Sequence, residues 1–305
     1  MICQTSSRFG SENTPPIALA SGKSAKACNC RHTVSRRRRD RALGGIHHPR
    51  YAIENASLPT ATTSISLPRR LARPQFRDVS ADTLKLAAPE LANAHPDYIR
   101  DKLANFGPEM LRVLSGVEAQ PVTNKLPREL SVIINDISSD LPTHLLAVYS
   151  RQHGPHRRLT LFPTHNIMLA AHCTNLPALP TQKATSIPDV AGSSITLPII
   201  PLCIPSPETF PHLSRFIYTK RVDELYSSLL PRSTSTADPS NEGHSAALAA
   251  MCTSQTLLTH VMTVHGLWMN VCALGIFDEG LWHTMDVAWE VLLGALAITT
   301  GKPVA

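Results

Sequence analysis

The sequence lacks an uninterrupted apolar run of the ~20 residues that a helix needs to cross a bilayer. The longest approach, Met285 to Thr300, is shorter and carries Asp286 and Glu290. The N-terminus also lacks a charged leader followed by an apolar segment, the pattern that directs secretion. We therefore expect neither a membrane span nor a secreted protein.

Recognisable catalytic signatures are also missing. The chain contains no Gly-rich phosphate-binding loop and no G-x-S-x-G nucleophile elbow. His260 and His265 are five residues apart and do not share a helical face, and the Cys and His residues at 28–32 lack zinc-finger spacing. We predict no catalytic, cofactor-binding or metal-binding residue. A cysteine- or histidine-dependent enzyme, using a pair such as His172 and Cys173, remains an alternative.

Aromatic residues make up only 5% of the chain and are almost absent from its beginning. Residues 1–77 hold 14 Lys and Arg against 3 Asp and Glu, a net charge of +11, whereas residues 78–305 have a net charge of −5. A basic, polar segment of this kind cannot bury enough apolar surface to offset chain entropy. The composition predicts a disordered basic tail over residues 1–77.

A compact basic cluster stands within this tail and consists of Arg36, Arg37, Arg38, Arg39 and Arg41. It suits a nuclear import receptor or an anionic partner, or it is simply a solvated part of the tail. No aromatic residues are interleaved for base stacking, so we do not expect direct nucleic-acid binding. A mitochondrial transit peptide is a further alternative, although Pro15 and Pro16 break an amphipathic helix there. The expected location is the nucleus, the cytoplasm or both.

The seven cysteines are odd in number and scattered along the chain. Cys173, Cys203 and Cys272 stand among apolar residues, as buried thiols do. Since disulfides are rare in reducing compartments, the pattern favours reduced thiols in an intracellular protein.

Residues 78–127 are predicted to form a helical extension. Apolar residues recur there in short groups, and Pro89, Pro96 and Pro108 each stand where a new helix can begin. The extension is therefore expected to consist of short helices separated by prolines.

A mixed core is predicted for residues 128–230. The aliphatic runs Leu130–Ile134 and Leu145–Tyr149 indicate strands, and Leu145–Phe162 reads as a hairpin. The hairpin leads into Phe162-Pro-Thr-His-Asn-Ile-Met-Leu-Ala-Ala-His-Cys173, where apolar residues recur at helical spacing and two alanines allow close packing. This segment is predicted to be a buried helix.

A second strand and helix follow the buried helix. Ile195–Cys203 is the strand, and Ser206 with Pro207 suits the beginning of a helix that ends near Arg221. Pro211 is expected to interrupt the first turns of that helix.

This order of hairpin, histidine, small-residue helix, strand and a helix closing on Phe-Ile-Tyr-Thr resembles the core of the BTB/POZ interaction fold. The resemblance implies an α+β protein with a short sheet and flanking helices, which binds partners and not substrates. It also implies that His165 caps its helix or bonds neighbouring backbone. The residues expected in this core are His165, Leu169, Ala170, Ala171, Cys173, Phe210, Phe216, Ile217 and Tyr218.

A polar loop at residues 231–245 is predicted to link the core to a C-terminal helical pair at residues 246–305. Apolar residues repeat at 4,3,4,3 spacing in both helices, and Asp278 is a suitable N-cap of the second. Trp268, Trp282 and Trp289 lie on or beside the apolar faces. They are either core aromatics or part of a partner-binding groove.

Four segments together resemble the clampless family of mushroom-forming and smut fungi: Leu159–Cys173, Pro201–Phe210, Tyr218–Arg221 and His265–Asp278. The likeness extends from about Phe76 to Ala297. It implies a regulator of clamp-cell formation and dikaryotic growth that acts downstream of mating-type homeodomain factors, with no known chemistry of its own.

The expected partners are proteins, with mating-type homeodomain transcription factors and cell-cycle regulators as candidates. A homodimer is a further option, and no cofactor is expected. The runner-up function is a BTB-type adaptor that presents clients to a ubiquitin ligase.

Overall fold

The computed structural model describes residues 67–119, 126–151, 159–180, 190–232 and 241–301. Residues 1–66 lie outside the described residues, and with them most of the predicted tail and the cluster from Arg36 to Arg41. Eight helices and one sheet make up the described part of the chain. The predicted α+β class is confirmed.

The element bounds follow the chain order. The helices are α1 (Ala81–Ala87), α2 (Pro96–Ser115), α3 (Asn166–His172), α4 (Phe210–Thr219), α5 (Val222–Leu229), α6 (Asn241–Met251), α7 (Ser254–Leu274) and α8 (Glu279–Thr300). The strands are β1 (Val117–Ala119), β2 (Glu129–Ile134), β3 (His144–Tyr149), β4 (Thr160–Thr164) and β5 (Ser193–Cys203). Short 3₁₀ turns span Pro89–Leu91 and Pro207–Thr209.

The sheet has the order β1-β2-β5-β3-β4, with β5 at its centre. The first half of β5 pairs antiparallel with β2, from Ser193 opposite Ile134 to Pro198 opposite Glu129. Its second half pairs parallel with β3, beginning with Ile199 opposite Leu145. β3 and β4 form the predicted antiparallel hairpin. One long strand therefore joins two separate antiparallel ribbons into a mixed sheet.

Side chains alternate along these strands and bury both faces of β3. Leu146 and Val148 face the main core, which α2, α3, α4, α7 and α8 also line. Leu145 and Ala147 face a second, smaller core together with Ile199 and residues of β2. Both faces of β3 are therefore covered, and the helices occupy one of them.

Pro108 does not begin a new helix, as the sequence suggested, but lies inside the 20-residue helix α2. A proline costs an interior helix one hydrogen bond, and close packing here offsets that cost. A Cβ added to the preceding residue, Gly107, would lie 2.0 Å from the backbone oxygen of Tyr218 on α4. The absence of a side chain at Gly107 lets α2 and α4 pack backbone to backbone.

Pro211 does not interrupt α4. It stands in the first turn of that helix, where the backbone N–H has no intrahelical partner to lose. The expected disruption was wrong because the helix begins at Phe210, later than the sequence suggested, after a 3₁₀ turn at Pro207–Thr209.

Three helices follow the sheet region at the C-terminal end, where the sequence predicted a pair. α6 spans Asn241–Met251, so the last five residues of the predicted linker at 231–245 are helical. α7 and α8 match the predicted pair, and Oδ1 of Asp278 accepts a hydrogen bond from the Leu281 amide at 3.1 Å as the N-cap of α8. α6 packs on α8, where the Ser245 hydroxyl donates to the Val291 carbonyl at 3.0 Å.

By length and composition alone, α7 and α8 are apolar enough to cross a membrane. α8 begins at Glu279 and is therefore longer than the apolar stretch Met285–Thr300 considered in the sequence. In the most apolar 18-residue stretch of each helix, the share buried inside the fold is 44% for α7 and 56% for α8. Core helices of globular proteins pass the same test, and here both helices line the main core.

Candidate interaction site

The residues expected in the core all lie buried around α3 and α4. Nine positions share this burial: His165, Leu169, Ala170, Ala171, Cys173, Phe210, Phe216, Ile217 and Tyr218. Ala171 is fully buried, and Arg100 on α2 donates to its carbonyl oxygen at 2.8 Å. The small side chains at 170 and 171 allow α3 to pack deep within the main core.

A buried polar cluster joins the end of the hairpin to α4. The Tyr218 hydroxyl accepts from the backbone N–H of His165 at 3.0 Å and lies 3.0 Å from Nδ1 of the same histidine. Nε2 of His165 lies 3.0 Å from the Asp140 carbonyl. Because a carbonyl only accepts, Nε2 carries the proton and Nδ1 accepts from Tyr218.

This cluster fixes His165 as a neutral ring. Burial lowers the pKa of His165 below its ordinary value, and burial raises the pKa of Tyr218 to about 12. The ring makes no side-chain cap to α3, although His165 is the N-cap residue. Both ring nitrogens are therefore used in structural bonds.

The pair His172 and Cys173 lies at the other end of α3 from His165. Burial, with the nearby charge of Lys220, lowers the pKa of His172 to about 3, and burial raises the pKa of Cys173 to about 12. A cysteine nucleophile reacts as its thiolate. At neutral pH this pair offers neither a thiolate nor a charged imidazole.

An ion pair ties α4 to the beginning of α8. Lys220, the left-handed C-cap of α4, donates to Asp278 at 2.9 Å, and each side chain is 23% exposed. Burial opposes ionisation of Asp278, but the charge and the hydrogen bond of Lys220 hold its pKa below the ordinary value. The N-cap of α8 is thereby held in its charged form.

A second buried contact joins α7 to the turn before α4. Asn270, which is fully buried, accepts from the Ser206 amide at 3.0 Å and donates to the Ser206 carbonyl at 2.6 Å. It also donates to Oγ1 of Thr209 at 2.9 Å. We call the Lys220–Asp278 and Asn270 contacts the α4 junction, since they tie the sheet region to the C-terminal helices.

Two of the three tryptophans donate hydrogen bonds to a segment near the beginning of the described chain. Nε1 of Trp268 donates to the Ala72 carbonyl at 2.8 Å, and Nε1 of Trp289 donates to the Pro68 carbonyl at 3.1 Å. Trp282 donates instead to Ile276, at 3.0 Å. We call residues 67–77 the strap, because this stretch without helix or strand lies along α7 and α8.

Three side chains of the strap add further contacts. Arg73 pairs with Glu279 at 3.0 Å and with Asp286 at 2.8 Å, and its guanidinium lies 5.3 Å from the ring centre of Trp282. Leu71 is buried in the main core. Phe76 meets the ring of Phe277 edge-on, with centroids 5.1 Å apart.

The structure therefore places the tryptophan candidates against their own chain. Trp282 and Trp289 are 2% and 1% exposed, and Trp268 is partly buried. The strap belongs to the stretch that the sequence assigned to the basic tail. No periodicity marks it, and only the apolar residues four apart, Leu67 and Leu71, hint at an anchored segment.

A groove of about 360 Å³ lies between α4 and α5. Its lining includes His212, Phe216 and Leu225. Arg215 and Arg221 also line it, and both are paired with Glu224, at 2.9 and 3.6 Å. The groove thus has mixed chemistry with its positive charge already balanced. No group of three or more His, Cys, Asp or Glu side chains suited to a metal occurs in the described residues.

These features define an α+β protein in which a mixed sheet region and a C-terminal set of helices share one core and hold an extended strap. The chain belongs to the clampless protein 1 family: the model of its N-terminal domain matches residues 74–205 and the model of its C-terminal domain matches residues 223–305. The resemblance seen in the sequence is confirmed at the level of the family.

The chain is also similar to curated proteins named clampless protein 1 from two strains of Cryptococcus neoformans var. neoformans serotype D, JEC21 and B-3501A. Each is 32% identical over 124 residues, which cover 40% of this chain. The match spans 24% of the length of these relatives. No solved structure matches the chain, so the BTB/POZ likeness stays a prediction.

Proposed function

We propose that this chain is a non-enzymatic intracellular regulator of fungal sexual development that acts in clamp formation and dikaryon maintenance by binding protein partners. Membership of the clampless protein 1 family carries the developmental part of the proposal. That membership suggests a role in clamp formation and development.

The binding part of the proposal is supported by the state of the reactive side chains. His165 uses both ring nitrogens in structural bonds, and burial keeps Cys173 protonated at neutral pH. Side chains that often carry chemistry here serve packing. The proposed activity is therefore recognition of another protein. In this proposal α7 and α8 are core helices, and the chain has no membrane partner.

The BTB/POZ-like core is part of the same proposal. The order β3, β4, α3, β5, α4 is the order of elements that the sequence resemblance implies. This order also supports the second candidate, an adaptor that presents clients to a ubiquitin ligase. The two candidates differ in partner: a cullin for the adaptor, mating-type homeodomain factors or cell-cycle regulators for the regulator.

Complementation tests the developmental role. In a clamp-forming dikaryon that lacks its own clampless gene, the wild-type chain should restore clamp cells. Ala171→Glu should fail because it destroys the core, while Ala246→Glu, on the exposed face of α6, should succeed. Stable wild-type protein at normal abundance without clamp cells would overturn the proposal.

Crosslinking in the complemented dikaryon separates the two candidates. Recovery of a mating-type homeodomain factor with the wild-type chain, lost with a folded surface variant, supports the regulator. Recovery of a cullin under the same conditions supports the adaptor.

Replacing Arg36 to Arg39 with serine in a fluorescent fusion tests the proposed nuclear address, and an unchanged nuclear signal would reject it.

A further inference from the structure

The strap is held by hydrogen bonds of the kind that recognise an extended peptide. Two indole N–H groups, on Trp268 and Trp289, donate to main-chain carbonyls of the strap that are four residues apart. Contacts to carbonyls recognise an extended backbone, whereas side-chain pockets select its sequence. The strap also carries Pro68 and Pro74, which disfavour helix and sheet pairing and leave carbonyls free to accept.

The surface beneath the strap contacts an arginine from three sides. Arg73 lies between the carboxylates of Glu279 and Asp286 and above the ring of Trp282. A planar guanidinium can pair with carboxylates and stack on an aromatic ring at the same time, which an ammonium group does less well. We call the surface formed by Trp268, Trp282, Trp289, Glu279 and Asp286 the strap groove.

The strap is attached weakly for a segment that belongs to a folded unit. Leu71 is buried, but Phe76 is 65% exposed and the side chain of Arg73 is 42% exposed. Glu279, one of the partners of Arg73, has a side chain that is 90% exposed. Exposed ion pairs add little to stability and are screened by salt. A competing segment has direct access to the carboxylates of Glu279 and Asp286, and it reaches the indole donors as the strap lifts away.

We propose that the strap groove is a recognition site for an arginine-bearing extended segment of a partner protein, and that the strap occupies it as a competing self-ligand. This inference rests on the proposed interaction role and names the chemistry that a partner must present. The segment needs an arginine, free carbonyls on its N-terminal side and an apolar side chain two positions before the arginine, as Leu71 stands before Arg73.

A peptide titration tests the groove with the full chain. In the Arg73→Glu chain the strap faces two carboxylates with a like charge, so its hold on the groove weakens while the groove itself is unchanged. A fluorescent peptide of residues 67–77 should bind this chain at least tenfold more tightly than it binds the wild-type chain. The reason is that a tethered segment competes at an effective concentration in the millimolar range.

Charge reversal provides the matched control. The Glu279→Lys, Asp286→Lys double variant should prefer the peptide that carries Arg73→Glu over the wild-type peptide. Anisotropy measures binding, and hydrogen exchange at residues 67–77 should rise as the strap is displaced. A purely structural strap would not reverse its preference with the charges. If Arg73→Glu lowers the melting temperature enough to unfold the chain, Arg73→Gln replaces it in the same titration.

Three outcomes overturn the proposal. The peptide binds neither chain, or it binds both chains equally, which would place it elsewhere on the surface. In the third, sedimentation of the Arg73→Glu chain mixed with the wild-type chain shows a dimer formed by exchanged straps, which would assign the groove to a second copy. Because the titration contains no cellular component, its failure leaves the clamp-cell role untouched, and failed complementation leaves the groove untouched.

Discussion

The α4 junction and the strap both attach a segment to the C-terminal helices by side-chain hydrogen bonds to main-chain groups, yet they differ in their access to water. Asn270 in the junction is fully buried, whereas most strap residues are exposed. A buried polar group that loses its partner bears the full desolvation cost, while an exposed one bonds to water instead. The same type of bond therefore fixes the fold in one place and permits exchange in the other.

Ala171→Glu should cause the largest loss of stability, because it disrupts the buried core. Ala171 is fully buried within the main core, so a carboxylate there would be unpaired and would cost several kcal/mol, enough to unfold a domain of ordinary stability. We expect an insoluble or unfolded chain by circular dichroism. Ala246→Glu on exposed α6 is the control and should melt like wild type; similar melting of both variants would contradict the assigned burial.

Asn270→Ala should have the next largest effect. It leaves the amide of Ser206 without its partner and removes one of the two hydrogen bonds of the Thr209 hydroxyl. A buried group left unpaired costs about 1–3 kcal/mol, and the cavity left by the side chain adds to that loss. Urea denaturation should show a loss of about 2–4 kcal/mol in the free energy of unfolding. Asn175→Ala removes exposed hydrogen bonds to the Cys272 and Ala273 carbonyls and should cost less than 1 kcal/mol; equal losses would refute the contrast.

His172 should make the stability of the fold sensitive to acid. Its pKa is about 3 in the fold and near the ordinary value of 6.5 in the unfolded chain, so between these values the unfolded state binds the extra proton. Its contribution is complete above pH 6.5 and is lost as pH falls toward 3, at up to about 1.4 kcal/mol per pH unit. The buried rings of His144 and His165, whose pKa values are also lowered by burial, act in the same direction.

Replacing this histidine isolates its share of the acid response. His172→Gln should flatten the fall of the unfolding free energy between pH 6.5 and 4, measured by urea denaturation at each pH. Asn175→Ala, which changes no titratable group, serves as the control and should retain the wild-type slope. A slope unchanged in His172→Gln would show that this ring does not titrate with folding.

The smallest effect is expected at the strap. Arg73→Ala removes two ion pairs whose side chains are 36% to 90% exposed, and exposed pairs contribute about 0–1 kcal/mol each. The unfolding free energy should fall by about 1 kcal/mol at low salt and by less at 0.5 M salt, because salt screens the pairs. A loss as large as that of Asn270→Ala would place the strap among the structural contacts.

Much of the fold could be predicted from residue patterns. Aliphatic runs located β2, β3 and β5, and the repeat in α7 and α8 with Asp278 as N-cap located the helical pair. The core around α3 was predictable because small and apolar residues recur at helical spacing. These signals are local, because each of these elements is predicted by the residues within it.

What could not be predicted depends on contacts between distant residues. Pro108 continues a helix because Gly107 packs against Tyr218, more than 100 residues away in the chain. The strap has no periodicity, and its carbonyls meet indoles about 200 residues later. No sequence pattern predicted α5, and the predicted linker includes the beginning of α6. Tertiary burial of residues such as Leu229 and Leu248 sets these short helices.

The position of β5 at the centre of the sheet also governs the order of assembly during synthesis. β2 and β3 are synthesised before β5 and belong to two separate ribbons. These ribbons are joined only by β5, which ends at Cys203. Until then both ribbons expose strand edges, which are aggregation hazards. Pairing over such separations is slow compared with helix formation. The nascent chain should therefore need protection by chaperones until residue 203 has emerged.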